Sequence, residues 1–198
     1  MTGRIVTLIA LVLLPMLVAG GQHSAAAQGA YCASAQEIDL LRLINTYRQE
    51  NGLAPLSLSM PLGSAAQMKA SDMASRNYIA HVSPSGEGPR ELLNGVGYPA
   101  NTAYGENLAA GSESGAGTFQ QWRSSSSHRD IMLSPQYTAI GIGSDHNPNS
   151  AYGWYWAAEF GGVVGTPAAS CDGPAPGGSI DAIVAAIIAI ITDILAGN

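Results

Sequence analysis

Two cysteines limit the folds open to this chain, because Cys32 and Cys171 bracket almost every segment that has the pattern of a folded domain. They are the only cysteines in the 198 residues. In an oxidising compartment a lone pair of cysteines is most simply a disulfide. Such a disulfide closes a loop of 139 residues and restricts the unfolded chain by about 5 kcal/mol on the chain-entropy model. Two unpaired thiols are the alternative.

The first residues have the three-part pattern of a secretory signal. "MTGR" carries one positive charge, "IVTLIALVLLPMLVAG" is apolar, and "SAAAQ" ends in small residues. This pattern predicts a signal peptide at residues 1–27, with cleavage after Ala27. A transmembrane anchor is the competing hypothesis, but Pro15 and the Ala-x-Ala site favour cleavage. We therefore expect a secreted, extracellular protein that has an oxidised cysteine pair.

Charge excludes one class of partner. Charged residues make up 11% of the chain and the net charge is −6. Such a chain lacks the basic surface that binding to nucleic acid or to an anionic membrane requires. We therefore expect no nucleic-acid partner.

Helices come first in the sequence and strands come later. Helical spacing of apolar residues predicts helices at 35–50 and from Pro61 to Tyr78, with shorter helical segments at 90–97 and 118–125. The segments 139–143 and 152–160 alternate as strands do, and the polar loop 144–151 joins them into an antiparallel hairpin. This order indicates an α+β fold with helices covering the sheet.

The C-terminal part differs in composition from the rest. Residues 167–179 are rich in Gly and Pro and predict a linker, and residues 180–198 have an isoleucine stripe at helical spacing. This amphipathic helix is short for a bilayer and carries no Lys or Arg. Membrane association or self-association through residues 180–195 is one hypothesis, and docking on the chain's own domain is the other.

Three separated residues are the candidates for chemistry. His81, Glu106 and His128 together form a minimal ligand set for Zn²⁺ or another divalent metal, and Glu106 is also a candidate base. The alternative is that each histidine is a hydrogen-bonded structural residue. The sequence has no His-Glu-x-x-His, no Gly-x-Ser-x-Gly and no phosphate-binding loop.

Several short motifs in order resemble a known family. They are "HVSPSG", "GENLAAG", Trp122-x-x-Ser125-x-x-His128-Arg129, "GIG" and "YWAAEF". This combination resembles the bacterial SCP-like branch of the CAP superfamily, the cysteine-rich secretory, antigen 5 and pathogenesis-related proteins. The resemblance implies a CAP domain at residues 33–166, built as a three-layer α-β-α sandwich with a central antiparallel sheet and an open cleft.

The resemblance also assigns residues to that cleft. The family's cleft carries two histidines and two glutamates, and His81, His128 and Glu106 match three of them. Ser125 stands where animal and plant members have the second glutamate, which weakens an acid–base mechanism that needs paired carboxylates. The stretch "SSSSHRDIM" is predicted to be a cleft loop, supported by Asn107, Ser125 and Arg129.

Three functions follow as hypotheses. The first is a non-catalytic extracellular binding module for a divalent metal, a small or lipid ligand, or another extracellular partner. The second is a metal-dependent hydrolase or peptidase that uses the same cleft. The third is an envelope-associated structural protein that assembles through its C-terminal helix. The missing second carboxylate and the absence of a nucleophile motif favour the first.

Overall fold

The computed structural model describes residues 31–99 and 101–172. The predicted signal peptide at 1–27 and the predicted helix at 180–198 lie outside the described residues, as does most of the predicted linker at 167–179. Within the described ranges, no helix is both long and apolar enough to cross a membrane.

Five helices occur in the described residues. The first begins with a capping box, in which Ser34 N donates to the Glu37 carboxylate at 2.9 Å and Glu37 N donates to Ser34 Oγ at 3.4 Å. It ends before Gly52, whose φ of 75° is left-handed, so the predicted helix at 35–50 is confirmed at both ends. The helices are α1 (Ala35–Glu50), α2 (Met60–Arg76), α3 (Pro89–Gly95), α4 (Gly115–Ser124) and α5 (Ser126–Met132).

Six strands form two sheets in this part of the chain. They are β1 (Cys32–Ala33), β2 (Ser57–Leu58), β3 (Tyr104–Ala110), β4 (Ala139–His146), β5 (Trp154–Gly161) and β6 (Ala169–Ser170). The main sheet has the order β2-β4-β5-β3, and β1 pairs with β6. Strands β4 and β5 form the predicted antiparallel hairpin, and β3 is antiparallel to β5. The short edge strand β2 runs parallel to β4, so the sheet is mixed.

Helices cover both faces of the main sheet, which confirms the three-layer α+β architecture. On one face α1, α4 and α5 pack with alternate residues of the strands, including Trp156 and Phe160. On the other face α2 packs against Tyr155 and Ala157, and α3 extends this layer. The side chains of β5 therefore divide between the two faces as the period of a strand requires.

Two glycines of β4 let α2 lie unusually close to the sheet. A Cβ atom at Gly141 would lie 2.0 Å from Gly63 N, and one at Gly143 would lie 2.3 Å from Gln67 N. Any side chain at these positions would push the helix away. The sequence "AIGIG" therefore determines where α2 sits over β4.

Two segments differ from the sequence-based prediction. Residues 104–110 form an edge strand, β3, although no strand was predicted there. The stretch "SSSSHRDIM" is not a loop, because residues 126–132 form α5. Ser125 has an extended backbone (φ −103°, ψ 128°) and separates α4 from α5, so the run of serines is the junction of two helices.

The disulfide predicted from the cysteine pair is confirmed. Cys32 and Cys171 are bonded, with their Cα atoms 4.9 Å apart. Cys171 follows β6, and Pro167 forms a bridge with Ser59. The first residues of the predicted linker at 167–179 are therefore paired with the domain.

A buried arginine joins the end of α1 to the segment between α5 and β4. Arg48 is 1% exposed. Its guanidinium donates to the carbonyl oxygens of Ala54 (2.9 Å), Met132 (2.7 Å), Ser134 (3.0 Å) and Tyr137 (3.2 Å). Since a buried carbonyl without a donor is costly, this one side chain stabilises several irregular segments at once.

We expect Arg48→Met to lower the free energy of unfolding by about 3 kcal/mol or more, because it leaves buried carbonyls without donors. The matched control is Arg42→Met, since Arg42 is exposed and makes only a 3.7 Å ion pair with Asp39. Urea unfolding monitored by tryptophan fluorescence measures both. Equal, small losses in the two variants would show that the Arg48 hydrogen bonds contribute little.

Candidate functional site

The central residue of the site, Glu106, lies in edge strand β3. The side chain of Glu106 lies on the same face as Leu108, which packs with Met73 of α2. The side chain of Asn107 points to the opposite face, where its Nδ2 donates to the carbonyl oxygen of His128 at 3.1 Å. Neighbouring residues of "GENL" therefore reach both helical layers.

Other side chains cover the outer edge of β3 on either side of Glu106. The carbonyl oxygen of Tyr104 accepts from Tyr137 Oη at 3.0 Å, and that of Leu108 accepts from Trp122 Nε1 at 2.9 Å. These hydrogen bonds occupy groups that an added strand would need. Trp122 is itself buried in the core, so this hydrogen bond ties β3 to α4.

The end of α2 directs His81 to this strand. Asn77 ends the helix in the left-handed conformation (φ 54°), and its Oδ1 accepts from Ala151 N at 2.7 Å and from Tyr155 Oη at 3.1 Å. The chain then turns back, and His81 Nδ1 lies 2.5 Å from Glu106 Oε1. The structure thus brings two of the three predicted ligands into direct contact.

This contact joins an exposed imidazole to a buried carboxylate. The side chain of His81 is 58% exposed and that of Glu106 is 2% exposed. The hydrogen bond to Glu106 raises the pKa of His81, against a smaller lowering by burial. Because Nδ1 donates to Glu106, Nε2 is the ring nitrogen that remains for a ligand.

His128 approaches the strand from the opposite layer. It lies in α5, and its ring is tilted against Trp122 with 6.4 Å between ring centroids. Its Nδ1 is buried and has no hydrogen-bond partner among the described residues. Burial lowers the pKa of His128, and the charge of His81 lowers it further.

A second carboxylate stands behind Glu106 and was not among the predicted site residues. Glu159 of β5 is the direct cross-strand neighbour of Glu106 and is fully buried. Burial raises the pKa of Glu159 well above its usual range, and the neighbouring Glu106 raises it further. Both oxygens of Glu159 and Glu106 Oε2 are buried with no hydrogen-bond partner among the described residues, so we infer that Glu159 carries a proton directed to Glu106.

One feature of the sequence could have indicated that Glu159 is unusual. The alternation in "YGWYWAAEF" places it on one strand face with Tyr155. A carboxylate inside an otherwise apolar, buried strand is rare unless it is paired or neutral. The sequence therefore indicates that Glu159 has a hydrogen-bonding partner, but it does not identify Glu106 as that partner.

The three residues predicted to support the cleft lie around α5. Asn107 is fully buried and holds the His128 carbonyl oxygen, as described above. Ser125 Oγ lies 3.0 Å from Ser127 Oγ, and Arg129 Nη1 donates to the carbonyl oxygen of Arg123 at 2.9 Å. Their contacts organise the junction of α4 and α5, so they determine where His128 stands.

A metal ion requires several ligand side chains that point to one place. In the described ranges, no group of three or more His, Cys, Asp or Glu side chains is arranged to hold a metal ion. Glu106 Oε1 is already bonded to His81, and Glu106 Oε2 is buried with no hydrogen-bond partner among the described residues. Glu106 therefore stands behind His81 as its hydrogen-bond acceptor and presents no exposed oxygen to a metal ion.

Comparison with known proteins agrees with this geometry. The cysteine-rich secretory protein (CAP) family matches residues 41–160, which is more than half of the chain. The chain belongs to the CAP family. The match contains β3, α4, α5 and the hairpin, so every residue of the cleft described above lies in the CAP domain.

Two curated CAP-domain relatives come from Bacillus subtilis (strain 168). The uncharacterised protein YkwD is 36% identical over 110 residues, which cover 56% of this chain and 42% of YkwD. The uncharacterised membrane protein YlbC is 32% identical over 109 residues, covering 55% of this chain and 31% of YlbC. This chain thus spans less than half the length of these relatives.

Two solved structures share the fold. An extracellular protein with an SCP domain from Bacillus anthracis has a TM-score of 0.55 and 26% identity, covering 62% of this chain and 39% of that one. An outer surface protein from Borrelia burgdorferi has a TM-score of 0.56 and 21% identity, covering 63% of this chain and 90% of that one. The second likeness concerns the fold alone.

The protonated state of Glu159 predicts a pH-dependent stability. Because its folded-state pKa is raised above the usual 4.5, the wild type should lose stability as pH rises from that value towards the folded-state pKa. Glu159→Gln cannot ionise and keeps a donor for Glu106, so its advantage over the wild type should grow with pH. A single group changes the free energy of unfolding by at most about 1.4 kcal/mol per pH unit.

Urea unfolding of both proteins at pH 4.5 and pH 7.5 measures this difference. Glu113→Gln is the control, since Glu113 is exposed on the loop before α4. A Glu159→Gln advantage that is the same at both pH values would contradict the assignment of a proton to Glu159.

Proposed function

We propose that this CAP chain is an extracellular binding module whose cleft holds a divalent metal ion, such as Zn²⁺, through His81 and His128. The observation that carries the proposal is the hydrogen bond between His81 Nδ1 and Glu106 Oε1. A histidine that binds a metal commonly donates its other ring N–H to a carboxylate, which fixes the tautomer and makes the ring more basic.

The two imidazoles have complementary features for such a site. His81 presents Nε2 on a largely exposed ring, and His128 has a depressed pKa and is therefore neutral at physiological pH. Neutral imidazole nitrogen suits zinc and other borderline divalent metals. With only two protein ligands, the remaining coordination positions belong to water or to a bound ligand, so the affinity should be modest.

Binding is favoured over hydrolysis by the contacts of the candidate catalytic groups. No hydroxyl group in the described residues hydrogen-bonds to His81 or His128, so a nucleophile–base pair is absent there. Glu106, the candidate base, is buried and bonded to His81, and Glu159 has no exposed surface. Neither carboxylate is accessible to activate water for a substrate.

An extracellular location is supported by several independent features. They are the predicted signal peptide, the disulfide between Cys32 and Cys171, and similarity to proteins described as extracellular or as outer surface proteins. Disulfides persist in oxidising compartments and are rare in the reducing cytosol.

Calorimetric titration of the purified chain with Zn²⁺ tests the proposal. We expect saturable binding that His81→Ala and His128→Ala each abolish, because each removes one of two ligands. Glu106→Gln should weaken binding by roughly 10- to 100-fold, as the loss of an outer-shell carboxylate does in other metal sites.

The control variant is His146→Ala, because His146 is exposed at the end of β4 and stacks on Trp154 instead of facing the cleft. It should bind zinc as the wild type does. Zinc binding that survives both cleft substitutions, or that is lost with His146, would overturn the proposal.

A further inference from the structure

A pocket lies beside His81, between α2 and the turn that follows it. Its volume is about 160 Å³. His81 belongs to its lining, and His128 does not. The residues that line it are Met68, Lys69, Asp72, His81, Ser83, Glu87, Gly88 and Leu92.

The only lysine of the sequence is buried in this pocket. Lys69 is 4% exposed, and its Nζ donates to the carbonyl oxygen of His81 at 2.9 Å and to Tyr78 Oη at 3.5 Å. No carboxylate oxygen of the described residues lies within 4.0 Å of Nζ. A buried ammonium group without a carboxylate is unusual, because its desolvation is not offset by an opposite charge.

The acidic groups nearby are engaged elsewhere. The two oxygens of Asp72 accept from Arg76 and from Tyr78, and Glu106 accepts from His81. Glu159 is fully buried against Glu106 and does not line the pocket. No carboxylate of the described residues therefore forms a direct ion pair with Lys69 Nζ.

The other residues that line the pocket limit which anion could pair with Lys69. Met68 and Leu92 provide apolar surface, and Ser83 provides a hydroxyl group. Asp72 and the exposed Glu87 carry negative charge in the same lining, which disfavours an anion with several charges, such as phosphate. A single negative charge with a short apolar body matches the lining best.

We propose that this pocket binds a short-chain monocarboxylic acid, whose carboxylate pairs with Lys69 Nζ while its hydrocarbon part contacts Met68 and Leu92. The carboxylate supplies the direct ion-pair partner that Lys69 lacks among the described residues. The site goes beyond the proposed metal cleft and needs no metal ion, so each proposal can fail without the other.

The single lysine makes the test selective. Protein labelled only at lysine with ¹³C and ¹⁵N gives one side-chain spin system, that of Lys69, in NMR spectra. Butyrate is the probe and butyramide is its neutral isostere, both added to the chain in the presence of a metal chelator. We expect butyrate to shift the Lys69 Cε signal saturably, with a Kd of roughly 1 to 10 mM, and butyramide to bind at least tenfold more weakly.

A second experiment uses a readout that does not need the lysine. In uniformly ¹⁵N-labelled protein, the amide signals of Ser83 and Gly88 report occupancy of the pocket. Lys69→Met keeps the length of the side chain without its charge and should weaken butyrate binding at least tenfold. Arg90→Gln removes a positive charge on α3 that does not line this pocket, and it should leave binding unchanged.

Three results would overturn the proposal. They are equal binding of butyrate and butyramide, unchanged butyrate affinity in folded Lys69→Met, and no shift of the Lys69 signal at saturating butyrate. If Lys69→Met does not fold, the comparison of butyrate with butyramide on the wild type decides alone. A preference for inorganic phosphate over butyrate would also count against a monocarboxylate site.

Discussion

The hydrogen bond between His81 Nδ1 and Glu106 Oε1 is the contact on which the cleft depends. Glu106 is too buried for water to solvate its charge, so it needs a strong donor from the protein. His81 lies on an exposed turn, and among the described residues its ring makes no other hydrogen bond. The hydrogen bond thus gives the buried carboxylate of Glu106 a donor and fixes the ring of His81. It also holds the turn after α2 against edge strand β3.

The position of α2 makes this bond possible. Gly141 and Gly143 let the helix pack directly on β4, and Asn77 ends it in a left-handed conformation that turns the chain back towards β3. On the other face, Asn107 fixes the His128 carbonyl oxygen and Trp122 holds the strand. The two histidines therefore reach one strand from opposite helical layers, and neither is positioned by its own helix alone.

The sequence predicted the elements that have a clear period. The apolar spacing of α1 and the alternation of β5 were sufficient, and the cysteine pair predicted the disulfide. Strand β3 was missed because Gly105, Glu106 and Asn107 interrupt its apolar run, and α5 was missed because a run of serines resembles a loop. The contact of His81 with Glu106 depends on the angle at which α2 ends, and no local pattern encodes that angle.

The position of the second carboxylate determines the charge of the cleft. The family's second glutamate would stand at Ser125, on the α5 side and near solvent, where it would add negative charge. Here the additional carboxyl is Glu159, which is fully buried behind Glu106 and protonated, so it adds a hydrogen bond and no charge. Glu106 therefore carries the only charge of this carboxyl pair, and its Oε1 is occupied by His81. Lys69 on the α2 side is left without a direct carboxylate partner among the described residues, so a carboxylate that binds there would not compete with Glu106 for it.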